Sequence, residues 1–568
     1  MAKVVVDGKT VVVPDTANAL EACRAAGVDV PHFCYHPGLS VVGQCRMCMV
    51  EIEGMPKVQA SCTVPIRDGM VIQASSERAR AARNATMEFL LVNHPLDCPI
   101  CDQAGECKLQ DNAVAGGLPV SRTSEPRRQY PGYDRTDIGP HVIADMTRCI
   151  QCTRCIRFCA EVAGTGELTF IERGGHTIVW THEGHQLDNE WSGCAADVCP
   201  VGALTVKEFR FRKRVWWLAK ARSVCDGCEI GCNVSIEHRD RVVHRYLPRV
   251  NPHVNDFWMC DYGRFRAEGL NRQDWLRPVV RAGGEARETN WGEAATAVQL
   301  AIDEARGADP ASVLVLGSAN ASTEESWLLA ELFSRTLGLP NVEFDVDAGP
   351  LRRIPNPKAA GAEGRFLTGT LAAPNARGTE AAGIRRVGAD SALARLLSGS
   401  WAPEVLYVTD AAFSARCDDP EFVAALRKAK KLVVNARGKN ALSEAADVVL
   451  PVGSLATKEG TFVNVQGRIQ RFEAAFLPPP IVKSDLEVLL HLGRRWGAFD
   501  TRWTARDVFE RMRDRVAGYG GARWDAPAIA GYPCSLSPAA AYDALAAGRE
   551  ADDPDATHVL AAPAGGRP

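Results

Sequence analysis

Three cysteines, Cys98, Cys101 and Cys107, crowd into the stretch NHPLDCPICDQAGECKLQD (residues 93–111), and His94 stands just ahead of them. Thiolate sulfur and imidazole nitrogen are the side-chain donors that soft metal centres prefer. The chain holds 20 cysteines, 18 of them before residue 261. They fall into four ligand groups. The first is Cys34, Cys45, Cys48 and Cys62, spaced C-x10-C-x2-C-x13-C, and the second is His94, Cys98, Cys101 and Cys107. The third opens in the run RCIQCTRCIRFC with Cys149, Cys152 and Cys155 and is completed by Cys199 of DVCPVGALT. The fourth is Cys225, Cys228, Cys232 and Cys260.

Spacing separates iron–sulfur chemistry from zinc. Zinc takes four cysteines as two separated C-x2-C pairs. A C-x2-C-x2-C run instead wraps one loop around a cube, and a remote Cys-Pro supplies the fourth corner, a pattern specific for [4Fe–4S]. The second and fourth groups also place three cysteines in one loop, which favours a cube. The first group resembles plant-type [2Fe–2S] spacing with a widened first gap, LSVVGQ, where Gly43 is available for a bend. A zinc-stabilised interaction protein and a disulfide-rich scaffold remain the alternatives. Clustered cysteines in a large chain with no signal peptide argue against the second.

His94 follows an amphipathic segment, RARAARNATMEFLLVN, with Met87, Leu90 and Leu91 on one face, and Pro95 ends the helix. A histidine at a helix C-terminus is commonly a capping residue. Here the loop offers three cysteines and a cube needs four ligands, so His94 is read as the fourth. Five cysteines are left over. Cys159 and Cys194 are expected to be buried, inert thiols, because a second motif ending at Cys199 is out of register. Cys23, Cys417 and Cys534 are expected to be packing residues.

These sites need scaffolds. At 568 residues the chain is expected to form three or more domains. Its N-terminus, MAKVVVDGKTVVVP, reads as two strands joined by Asp7-Gly8, not as a signal peptide. Net charge is −3 and no apolar run approaches membrane-spanning length, so neither nucleic acid nor a membrane span is expected. The basic run 207–222 reads as a solvated or interdomain linker. After Cys260 the pattern turns α/β with a largely parallel sheet. Strands are expected at 312–317, 405–408, 432–435 and 447–451, with TEESWLLAELFSRTLG and EFVAALRKA as helices. GSANAS after the first strand could cradle a phosphate but is read as a turn. Residues 350–402 are expected to be an irregular insertion, and 546–568 a disordered tail.

The ordered set of ligand groups resembles the large iron–sulfur subunit family of respiratory complex I, which comprises the G subunit of NADH-quinone oxidoreductase and its mitochondrial 75 kDa counterpart. The resemblance rests on GQCRMCMVEIEG, HPLDCPICDQAGECKLQD, TRCIQCTRCIRFC and CPVGALT, and further along on ADVVLPVGSLATKEGTFVNVQGRIQ. It implies a multidomain α+β and α/β fold. A β-grasp-like [2Fe–2S] domain spans 1–78, [4Fe–4S] domains span 79–118, 139–210 and 218–274, and a molybdopterin-oxidoreductase-like domain without molybdenum spans 275–545. The implied cofactors are one [2Fe–2S] and three [4Fe–4S] clusters, the fourth group's cube lying off the main path. The implied function is electron transfer from NADH and flavin toward quinone in the proton-pumping NADH:quinone oxidoreductase, with no complete active site in this chain alone. Implied partners are the flavin/NADH-binding subunit and quinone-proximal iron–sulfur subunits, at the cytoplasmic side of the bacterial inner membrane. The C-terminal part is shorter than in many members. An electron-transfer subunit of an NAD-linked hydrogenase or formate dehydrogenase is the alternative.

Overall fold

The computed structural model describes residues 1–118, 120–346, 372–409, 414–516, 518–525 and 532–533. Over these it divides into two compact units, Met1–Leu218 and Ala219 onward.

The first unit begins with the expected hairpin. Strands Ala2–Val6 and Lys9–Val13 pair antiparallel across Asp7-Gly8, and both turn residues take positive φ, as a two-residue hairpin turn requires. Ala2–Val6 also pairs parallel with Val71–Gln73, which pairs with Met49–Ile52 and through it with Gln59–Ala60, closing a five-stranded mixed sheet. Helix Ala19–Ala25 packs on that sheet and is fixed at its start by a reciprocal Asn18–Glu21 capping box. This β-grasp-like layer buries Val4, Val6, Leu20, Val50 and Ile72, and Cys23 lies in the same core.

Helix Glu77–Asn93 follows, capped by Ser76, with Met87 buried and Leu90 and Leu91 half-buried. His94 is its C-cap, and the chain turns extended there before Pro95. The remainder of the unit is irregular backbone held by small sheets. Val142–Ala144 pairs with Leu204–Val206 and Thr136–Asp137, and Leu168–Ile171 pairs with Ile178–Thr181. Helix Arg154–Arg157 runs directly into a wider-pitched turn, Phe158–Ala163.

The basic run 207–222 crosses the boundary between the two units, as expected of an interdomain linker. Its last residues enter strand Ala219–Val224, the edge of a three-stranded antiparallel sheet with Asn233–Arg239 and Val242–Pro248.

The second unit is dominated by an eight-stranded sheet. In spatial order its strands are Glu285–Glu288, Val279–Ala282, Val448–Pro451, Lys431–Ala436, Val405–Val408, Val313–Ser318, Asn341–Asp345 and Arg385–Arg386. The last six are parallel and the first two form an antiparallel edge. The four expected strands are all present and interior to the sheet, and three of them are buried at every position, as a sheet covered on both faces demands. The expected helix after the first strand is α-helical over Thr323–Leu329 and π-helical over Ala330–Thr336, with Leu328, Leu329, Leu332 and Phe333 all buried. GSANAS is a turn whose Ser322 and Glu325 form a capping box, so the helix start already carries a carboxylate. The described part of the expected irregular insertion is regular: helices Ala376–Ala381 and Ala392–Ser398 flank strand Arg385–Arg386. The rest of that insertion, the expected tail and Cys534 lie outside the described residues.

Candidate functional site

The first ligand group sits on irregular backbone beside the five-stranded sheet, with Cys34, Cys45, Cys48 and Cys62 all buried. Cys48 directly precedes strand Met49–Ile52, and Cys62 lies in a tight turn, Ser61–Thr63, pinned when Ser61 Oγ donates to the Cys48 carbonyl at 2.8 Å. Gly43 provides the expected bend at φ +62°, and a Cβ there would lie 2.8 Å from Thr63 Cγ2. The backbone N–H groups of Phe33 and Cys34 each point at Cys45 Sγ, at 3.4 Å. The four thiols also hydrogen-bond among themselves. Cys34, accepting from Cys45 and Cys62, is pulled well below the ordinary thiol range, while Cys45 and Cys62 are pushed up. Four sulfurs this close cannot all ionise unless positive charge sits among them.

The second group is gathered by a helix end and a loop. Cys98 begins a single turn, Cys98–Ile100, and Cys107 caps helix Lys108–Gly116. Cys101 and Cys107 are buried and Cys98 is exposed. Nδ1 of His94 is fully enclosed and has no hydrogen-bond partner. A buried ring nitrogen left without a partner is costly, and a ligand bond would satisfy it. Burial, then the Arg148 guanidinium, holds the imidazole down to about 4, so it is neutral near pH 7 and able to ligate. The loop is strapped from behind. Arg214 donates to the carbonyls of Cys101, at 2.6 Å, and Pro99. Gly105 (φ +92°) lets Val215 and Trp216 approach so closely that a Cβ would sit 2.7 Å from each.

The third group surrounds a cavity. Cys149, Cys152, Cys155 and Cys199 line it together with Met146, Ile150, Val179, Pro200, Val201 and Leu204. Gln151 and Thr153 adopt positive φ, which folds the C-x2-C-x2-C run around the space. Gln151 N–H points at Cys149 Sγ at 3.3 Å. Burial raises all four thiols, and for Cys152 the Arg154 and Arg157 charges oppose it. Thiolates therefore form here only with metal, with release of protons.

The fourth group lies in the second unit. Cys225 and Cys232 are tied by a backbone hydrogen bond of 2.8 Å at the mouth of the antiparallel sheet, and Cys260 starts helix Asp261–Phe265. Gly227 N–H points at Cys225 Sγ at 3.4 Å, and a Cβ on Gly263 would lie 2.7 Å from that sulfur. Burial raises Cys225, Cys228 and Cys260.

The structure brings together Cys34, Cys45, Cys48 and Cys62, and sets Cys149, Cys152, Cys155 and Cys199 around one cavity; for the second group it shows the three cysteines in one loop, with Arg148 and Asp97, not a cysteine sulfur, as the main charges at His94. Cys159 and Cys194 are fully buried and stand outside these ligand sets, and Cys417 packs in an apolar core, as expected. Sequence reasoning passed over the residues that join the three groups of the first unit. Arg157 donates to the carbonyls of Cys34 and Ser40, and Arg154 donates to that of Tyr35, tying the third group's helix to the first group's loop. On the other side, Cys107 Sγ approaches the Pro200 carbonyl at 3.8 Å, and a Cβ on Gly202 would sit 2.2 Å from Cys101 Sγ. The arginines stand inside the cysteine run itself, but only tertiary contacts reveal what they reach.

Clustered thiols, an orphaned imidazole and sulfur-directed N–H groups on ferredoxin-like elements define a multicluster iron–sulfur protein. Five family models match the chain in order. They are a 2Fe-2S iron-sulfur cluster binding domain (1–77), the NADH-ubiquinone oxidoreductase-G iron-sulfur binding region (83–122) and the NADH-quinone oxidoreductase subunit 3 ferredoxin-like domain (139–205). The NADH-ubiquinone oxidoreductase NDSU1/NuoG-like 4Fe-4S domain (220–268) and molybdopterin oxidoreductase (387–495) follow. The NADH-quinone oxidoreductase G subunit of Rickettsia conorii is 41% identical over 356 residues, 62% of this chain and 52% of that one. The NADH-ubiquinone oxidoreductase 75 kDa subunit of Reclinomonas americana is 44% identical over 294 residues, 52% of this chain and 42% of that one. A solved chain of an NAD+-reducing [NiFe]-hydrogenase is 30% identical, covering 38% of this chain and 91% of that one, with a TM-score of 0.33. Over these stretches the chain is similar to the NADH-quinone oxidoreductase G subunit and the NADH-ubiquinone oxidoreductase 75 kDa subunit. It spans about half the length of the curated relatives it matches.

Proposed function

We propose that this chain is an electron-transfer subunit of a proton-pumping NADH:quinone oxidoreductase, passing electrons from NADH and flavin toward quinone. In this reading Cys34, Cys45, Cys48 and Cys62 hold one [2Fe–2S] cluster. His94 with Cys98, Cys101 and Cys107, Cys149 with Cys152, Cys155 and Cys199, and Cys225 with Cys228, Cys232 and Cys260 each hold a [4Fe–4S] cluster. When bound, such clusters supply one-electron carriage. The chain's own residues supply ligands, exclude water by burial and aim backbone N–H groups at sulfur, which favours the more negative, reduced state.

The observation that carries the reading is the continuity of the first three groups. The first is hydrogen-bonded to the third through Arg154 and Arg157, and the third touches the second through Pro200 and Gly202. Three ligand sets linked in sequence suit a wire. The α/β unit supports a scaffold role. In open parallel sheets ligands bind beyond the carboxyl ends of the strands. Among the described residues there, Lys458 hydrogen-bonds Glu325 and pairs with Asp485, which accepts from Asn435, while Glu324 accepts from Thr461. We therefore assign it no molybdenum. No helix among the described residues is long and apolar enough to cross a membrane. In this reading the chain is peripheral, on the cytoplasmic side of the bacterial inner membrane, beside the flavin-bearing and quinone-proximal subunits.

The test compares two variants in the assembled complex. Cys152→Ala is expected to stop electron flow from NADH to quinone, because it breaks the middle of the row. Cys228→Ala is expected to leave most of that flow. Equal loss in two fully assembled variants would overturn the assignment.

A further inference from the structure

Two buried arginines of the third group's run differ in how their charge is met. Arg148, 2% exposed, lies between Asp97 and Asp145, at 2.9 and 3.4 Å, so its charge is neutralised by carboxylates. Arg157 is 7% exposed, and its hydrogen bonds go to oxygens that carry no net charge: the Cys34 and Ser40 carbonyls and Thr153 Oγ1, the last at 3.2 Å. A buried cation without a carboxylate close by is strongly unfavourable unless other negative charge answers it. Glu161 accepts from the backbone N–H and the hydroxyl of Ser40, the residue whose carbonyl Arg157 holds. Arg157 thus stands at the junction of the two sites, bonded to the backbone of the first group's Cys34 and placed two residues beyond the third group's Cys155.

We propose that Arg157 is a positioning residue that raises the reduction potentials of the first and third cluster sites together, by placing one unpaired positive charge at their junction. This rests on the electron-transfer reading above. The physical basis is simple. Reduction adds one negative charge to a site, and a fixed cation nearby makes that addition more favourable, the more so where water cannot screen it. Because one guanidinium serves both sites, it moves both potentials in the same direction and leaves the driving force between them little changed. Arg148, already paired, should have no such effect.

The experiment is a redox titration of the full chain in its complex, read by low-temperature electron paramagnetic resonance, for wild type, Arg157→Gln and Arg157→Lys. Iron and acid-labile sulfide are counted in each. At the potential that half-reduces the wild-type site, Arg157→Gln is expected to lower the reduced-to-oxidised ratio of the first and third sites about tenfold, which is about 59 mV for a one-electron couple. The fourth site should not move. Arg157→Lys keeps the charge and should stay within about threefold of wild type. An iron-replete Arg157→Gln with unmoved potentials, or Lys and Gln variants shifted alike, would overturn the proposal. If Arg157→Gln loses iron, Arg157→Lys decides alone: wild-type potentials support the proposal and displaced ones overturn it. Absence of sulfide from the wild type would instead sink the electron-transfer reading itself.

Discussion

Replacing Gly202 with alanine adds one methyl group at a place the backbone already determines. The new Cβ would lie 2.2 Å from Cys101 Sγ and 3.2 Å from Gln103 Cβ. Ordinary non-bonded contact between heavy atoms of this kind begins near ~3.5 Å, so sulfur and loop must separate by more than about 1 Å. Ligand bonds in metal sites tolerate deviations of about 0.2 Å. The sulfur also has little room to retreat, because Arg214 and the Val215–Trp216 strap hold its loop from the other side. Gly202 does not use positive φ, so the substitution carries no backbone strain of its own. Overpacking of this kind costs about 1–3 kcal/mol, well below the stability of a typical domain. Gly202→Ala should therefore give a folded chain that has lost one cube. Iron and sulfide should each fall by about four per chain. The signal of the His94 site should vanish while those of the first and fourth sites remain. A variant with full iron content and an unchanged His94-site spectrum would refute the placement of Cys101 against this loop, and with it the contact between the second and third groups.

Other consequences can be checked in the same way. Gly263→Ala should empty only the fourth site, since its Cβ would stand 2.7 Å from Cys225 Sγ; retention of that cube in an iron assay would count against the ligand set. His94→Ala should lose the second cube. His94→Cys should keep it, at a potential lower by on the order of 100 mV, because a thiolate brings a negative charge that a neutral imidazole lacks. Equal potentials for wild type and His94→Cys would argue that His94 is not a ligand. Burial pushes the Glu324 carboxyl up to about 7, against hydrogen bonds from Thr461 that favour ionisation. Its folded value lies above its unfolded one, so the folded state holds the extra proton. Stability should therefore fall as pH rises from about 4.5 through 7, by about 3 kcal/mol in all. Glu324→Gln should remove this part of the pH dependence of unfolding; parallel wild-type and variant curves between pH 5 and 8 would show that it does not arise there.

Much of the cluster region was legible because the chemistry is written locally. Cys149, Cys152 and Cys155 come from one loop, and a C-x2-C-x2-C run has few other uses. His94 was reached by counting ligands; the structure leaves its Nδ1 enclosed and without a hydrogen-bond partner. The parallel strands were equally plain, since VLYV and LVVN are short, mostly apolar runs, and they are buried on both faces. The described part of the Gly-, Ala- and Arg-rich segment was misread as irregular because composition was weighed over propensity. Alanine is the best helix former, and Ser391 caps Ala392–Ser398 in the usual way. The run 207–222 does cross the boundary between the two units, as an interdomain linker would, but its charge pattern gave no sign of the contacts it makes. The contacts that make it a strap, Arg214 to Cys101 and Trp216 to Gly105, join residues more than a hundred positions apart. The same holds for Arg157 and Cys34, so the junctions between sites are properties of the fold and not of any motif.

The most direct test is low-temperature electron paramagnetic resonance of the reduced chain, taken with counts of iron, acid-labile sulfide and molybdenum. One [2Fe–2S] and three [4Fe–4S] signals are expected, with about 14 irons and about 14 sulfides per chain and no molybdenum. A chain free of acid-labile sulfide, or one that carries molybdenum, would contradict the account.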